Sequence, residues 1–156
     1  SSFDYMEKTA TLFAQHYPDV PLWQQPRRMD DAARAQFLGR FGLDTRGIGF
    51  AVLGGAFGEG IDLPGARLIG AFIATLGLPQ INPVNEQIRQ RMGDIFGAGY
   101  DYTYLYPGMQ KVVQAAGRVI RTQSDKGVVY LIDDRFSRPE IRQLLPTWWD
   151  VQLAGG

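Results

Sequence analysis

Gln114, Arg118 and Arg121 stand at i, i+4 and i+7 in the segment from Pro107 to Arg121. On a helix that spacing sets three polar heads on one side over about 10 Å. A guanidinium stays charged at ordinary pH and offers planar, forked donors, which suits phosphate oxygens whose charge is redistributed during phosphoryl transfer. The apolar residues Met109, Val112, Val113, Ala116, Val119 and Ile120 fall at helical intervals and form a stripe that should face a sheet. A solvated polar face on a core helix would give the same pattern. Gly117, between an alanine pair and Arg118, costs a helix about 0.8 to 1.0 kcal/mol relative to alanine. It is consistent with close approach of another backbone, although packing alone would also explain it.

A second chemical segment is Leu53-Gly54-Gly55-Ala56-Phe57-Gly58-Glu59-Gly60-Ile61-Asp62. It follows an apolar run read as a strand, and so lies where open α/β sheets bind ligands. Glycines let the backbone approach a ligand closely, while Glu59 and Asp62 could accept hydrogen bonds from ribose hydroxyls or orient water and cations. A glycine-rich turn with solvated acids is the plain alternative. Neither G-x-x-x-x-G-K-[ST] nor G-x-G-x-x-G occurs, which excludes a complete P-loop ATPase in this chain. Tyr100, Tyr102, Tyr104 and Tyr106 could stack bases, but their alternation favours a strand. His16 is read as a surface residue at a helix end, and Trp148 and Trp149 as anchors of the C-terminal tail.

These segments need a scaffold. Helical periodicity runs from Phe3 to Tyr17, from Asp30 to Phe41, from Val84 to Met92, from Met109 to Thr122 and from Arg138 to Leu145. Ile48–Leu53, Leu68–Ile73 and Val128–Ile132 are short apolar runs expected to be parallel strands covered on both faces, with a further extended piece near Val20 to Trp23. Residues 93–106 read as a surface connection, with the next helix beginning at Pro107. The alternation predicts an open α/β sheet in one domain.

Composition narrows the classes. The 156 residues carry 16 Lys and Arg against 16 Asp and Glu, so a basic site must be local. There is no cysteine, which excludes disulfides, thiolate metal sites and a catalytic thiol. No apolar run approaches the length of a membrane span, and the opening SSFDYMEK lacks a signal pattern, so an intracellular protein is expected.

Taken together, the segments resemble the second, RecA-like motor domain of superfamily 2 DNA helicases of the DinG and XPD group. Ser2-Phe3-Asp4-Tyr5-Met6 is similar to the end of motif IV, Gly55 to Asp62 to motif V, and Gln114 to Arg121 to motif VI. Asp125 to Phe136 continues in the family's manner with a strand and a D-x-R-F ending. The resemblance implies residues 1–156 as one P-loop NTPase-type domain truncated at its N-terminus, with the first motor domain absent and the fragment inactive alone. It implies ATP and Mg2+ as ligands of the full-length protein, with any iron–sulfur cluster in the missing half. Arg121, Arg118 and Gln114 would serve ATP hydrolysis, with Arg121 the preferred arginine finger. Gly58, Glu59, Gly60 and Asp62 would face the nucleotide and couple it to DNA. Ser2, Tyr5, Lys8 and Thr75 would contact single-stranded DNA, and movement would run 5′ to 3′. The implied partners are single-stranded DNA and the first motor domain, without a membrane, in a cytoplasmic, nucleoid-associated protein. A non-catalytic α/β module binding a protein partner or an anion is the alternative from another class.

Overall fold

The computed structural model describes residues 2–54, 63, 67–119 and 126–153. Helix α1 spans Phe3–His16, and the Ser2 hydroxyl caps it by accepting the Tyr5 N–H at 3.2 Å. Strand β1 is Leu22–Gln24 and helix α2 is Asp31–Gly39, capped by the Asp30 carboxylate on the Ala33 N–H. Strands β2, Ile48–Phe50, and β3, Gly70–Ile73, follow. Helix α3, Pro83–Phe96, begins with an Asn82 cap and a first-turn proline, and ends at Gly97 with φ of 70°. Helix α4 is Tyr106–Ala116, β4 is Val128–Leu131, and the short helix α5 is Pro139–Arg142.

The strands pair in parallel, as their apolar runs and helical crossovers predict. Among the described residues they form two ribbons, β1 with β2 and β3 with β4, registered Trp23 to Gly49 and Ala71 to Val129. The expectation that both faces of every strand are covered fails for β3 and β4. Phe72 and Tyr130 stack with ring centroids 4.9 Å apart on an exposed face, flanked by exposed Val128 and Ile132. Their other face is buried on α4 and the C-terminal turns, in a core of Ile73, Leu76, Leu105, Met109, Val112, Ala116, Phe136, Ile141 and Leu145. A separate aromatic packing of Trp23, Phe37 and Phe41 holds α2 against β1.

The tyrosine run is helical, where alternation predicted a strand. Residues 99–116 form one helix, with a π-helical turn at Asp101–Leu105. The four rings therefore pair at i, i+4, Tyr100 with Tyr104 and Tyr102 with Tyr106. The turn has a visible cause. Pro107 donates no N–H and its ring crowds the carbonyl of residue i−4, while the wider π turn lets the Tyr106 N–H bond to the Asp101 carbonyl just before it. Pro107 thus sits inside a longer helix instead of starting one. Gly108 is needed next, since a β-carbon there would fall 2.6 Å from the Leu76 carbonyl oxygen.

Helix α4 also ends earlier than its periodicity suggests, at Ala116, followed by tighter turns with Arg118 N–H on the Ala115 carbonyl and Val119 N–H on the Ala116 carbonyl. Among the described residues, a β-carbon at Gly117 would meet only the carbonyls of Val113 and Gln114 in its own preceding turn, so no other element approaches it. The C-terminal helix is one turn, shorter than the predicted Arg138 to Leu145, because successive i, i+3 bonds replace α-helical ones through Leu145.

Candidate functional site

Helix α1 returns to the strands through a short connection, so its N-terminus lies beside the C-terminal end of β1. Arg27, three residues beyond β1, marks this junction by hydrogen bonding Glu7 at 2.8 and 2.7 Å and also Asp4, both in the first turns of α1. These bonds hold the Asp4 and Glu7 carboxyls below their usual range, with the Arg27 hydrogen bond the leading cause, and raise Arg27 in turn. Helix α4 runs opposite to the strands. Lys111 lies across Gly54 beyond β2, where a β-carbon would sit 3.2 Å from its Cδ. Val119 crowds Gly127, just before β4. The C-terminal tips of the strands therefore gather Ser2, Gly54, Thr75 and Lys111, and the opposite end receives Arg118.

A cavity of about 480 Å³ lies between the inner edges of β2 and β3. It reaches from Gly47 and Leu68 to Gly54 and Thr75, and is lined at its α1 side by Ser2, Tyr5 and Met6. Three of the four residues expected to contact DNA, Ser2, Tyr5 and Thr75, are thus brought to one cavity. Lys8 is exposed on α1 and is not among the residues lining it. Gly54 has φ of 88° and Gly77 has φ of 64°, so both ends of the strand tips turn through the left-handed region that disfavours side chains. The Thr75 hydroxyl accepts the Gly77 N–H at 3.3 Å.

Gln114 is exposed on α4, and Arg118, half-buried and engaged in interactions of its own, lies just beyond its end. Arg121, Gly58, Glu59, Gly60 and Asp62 lie outside the described residues. Sequence reading missed Lys111. The signal was available, because Lys111 stands three residues before Gln114 on the same polar side of the helix.

Other singled-out residues have structural work. In the D-x-R-F ending, Arg135 grips Asp133 through two side-chain bonds of 2.8 and 2.7 Å, and Asp133 also accepts the Arg135 N–H. This holds the Asp133 carboxyl below its usual range, with the Arg135 side-chain bond leading, while Phe136 enters the core. Buried Tyr104 donates to Glu86 at 2.6 Å, and Glu86 also accepts from Arg89. Trp149 packs on the core, but Trp148 is exposed. His16 Nδ1 lies 2.8 Å from the Leu12 carbonyl at the end of α1. Among the described residues no group of three His, Cys, Asp or Glu side chains could hold a metal ion, and no helix is long and apolar enough to cross a membrane.

Comparison with known proteins places these elements in context. The family model described as a helicase C-terminal domain matches residues 1–152. The chain is 30% identical over 145 residues to the ATP-dependent DNA helicase chl-1 of Caenorhabditis elegans, a match covering 91% of this chain and 16% of that protein. It is 33% identical over 113 residues to the regulator of telomere elongation helicase 1 of Bos taurus, covering 65% and 9% respectively. It is 30% identical over 102 residues to the general transcription and DNA repair factor IIH helicase subunit XPD of Arabidopsis thaliana, covering 64% and 13%. The chain thus spans less than a fifth of the length of these relatives.

Proposed function

Because this chain belongs to the helicase C-terminal domain family, we propose that it is the second motor half of an ATP-dependent DNA helicase. In this reading its arginines complete an ATP site carried mainly by a first motor domain, and its strand tips hold single-stranded DNA. Arg121 is the finger, Arg118 assists it, and Gln114 positions the terminal phosphate or the attacking water. Gly58, Glu59, Gly60 and Asp62 link that site to DNA. Movement runs 5′ to 3′, by analogy with the group that the sequence resembles.

The supporting observation is the course of α4. Lys111 stands at the C-terminal tips of the strands, while Arg118 follows the other end of the helix, next to Val119, which crowds Gly127 just before β4. The helix and the tight turns that follow it thus span two separate places where phosphate could be met. Arginines brought across a closing cleft neutralise transition-state charge only when the two halves meet, which ties hydrolysis to movement. Mg2+ would arrive with the nucleotide phosphates, and this chain's own contribution is guanidinium placement.

The test is DNA-stimulated ATP hydrolysis by the full-length protein. Arg121→Ala is expected to slow turnover by about 10³-fold or more, the range for loss of an arginine finger. Unchanged turnover in both Arg121→Ala and Arg118→Ala would overturn the assignment and favour a non-catalytic α/β module that binds a protein partner or an anion.

A further inference from the structure

Lys111 carries a positive charge that no described residue neutralises. Its stem crosses bare backbone at Gly54, and it lines the cavity between β2 and β3 together with Ser2 and Thr75. The two hydroxyls already accept backbone N–H groups, Ser2 from Tyr5 and Thr75 from Gly77, which leaves the proton of each free to donate outward. The nearby Asp4 and Glu7 carboxylates are occupied by Arg27. A cation and two hydroxyl donors thus line one side of the strand tips, where open α/β sheets bind ligands.

We propose that Lys111, seated over Gly54, binds a backbone phosphate of single-stranded DNA, with Ser2 and Thr75 donating to the same strand. This rests on the motor reading and adds a contact to it. The nucleotide is the poorer candidate for this lysine, since Arg118, which is assigned to ATP, lies beyond the other end of α4. An ammonium on a flexible stem suits the choice, because a DNA backbone presents phosphates as point charges that carry no sequence information.

The experiment uses the full-length protein and a fluorescent oligothymidylate, titrated by anisotropy at several salt concentrations without nucleotide. Lys111→Gln should lower the slope of log affinity against log salt by about 0.7, the value for one lost phosphate contact on a single strand, and weaken binding about 3- to 10-fold at low salt. Lys111→Arg should retain the slope, and the KM for ATP should stay unchanged in both. Lys111→Met keeps the stem over Gly54 and should show the same loss of slope and affinity, so it carries the test if the glutamine variant folds poorly. Unchanged slope and affinity in the glutamine and methionine variants would overturn the contact. So would a raised KM for ATP with normal DNA binding, which would give the phosphate to the nucleotide. A parent protein that hydrolyses no ATP on DNA would overturn the motor reading itself.

Discussion

Residue types state the chemistry that a position can do, while partners decide whether it is left free to do it. Asp133 and Arg135 illustrate this, because their fork is closed on itself and Phe136 beside it is buried. The pair stabilises the chain reversal after β4. The Asp133 carboxyl is held below its unfolded value, so its contribution is fully present above about pH 4 and is lost as pH falls through the lower folded value. Asp133→Asn should cost about 1–2 kcal/mol near neutrality. The gap in melting temperature between variant and parent should close as thermal melts are taken to more acid pH, and a constant gap would deny the fork this role. Spacing singled out Gln114 and Arg118 as one face of a helix, but α4 ends at Ala116, so Gln114 lies on it and Arg118 just beyond. The same spacing offered Lys111, three residues before Gln114, but its seat over Gly54, 57 positions earlier in the chain, is a contact that no local pattern reports.

Elements were legible where one period dominated. The predicted α1 closely matches Phe3–His16, since its apolar residues repeat without interruption and Ser2 supplies a cap. The predicted strands shortened but kept their places and their parallel sense. The tyrosine segment misled because side chains two apart share a strand face, whereas here the same rings are sorted into i, i+4 pairs by helix geometry. Proline and glycine at 107 and 108 looked like punctuation, yet they serve a π turn and a close packing contact. Gly108→Ala should therefore destabilise by about 1–3 kcal/mol through overpacking against Leu76 and Leu78, as read by denaturant midpoint. An alanine tolerated without loss would mean that α4 can shift away from the segment after β3.

At the scale of the whole molecule, the α/β class and parallel strands followed from alternating periods, but the pairing pattern did not. Strand order depends on edges meeting in space, and nothing local in Ile48–Phe50 says that its described partner is Leu22–Gln24 alone. The principal apolar core draws its buried members from residues 73–145, while Met6, Ala10, Trp23 and Phe37 are buried outside it. With the cavity between β2 and β3 separating the ribbons, cohesion is uneven. Native-state amide exchange should consequently reveal two cooperative openings, with amides of α1 and α2 exchanging at lower denaturant than those of α4. A single shared opening energy would contradict this. Such partial melting would let the amino-terminal half loosen while the carboxy-terminal half keeps its shape, giving the domain a built-in seam along which load applied to one end need not unravel the other.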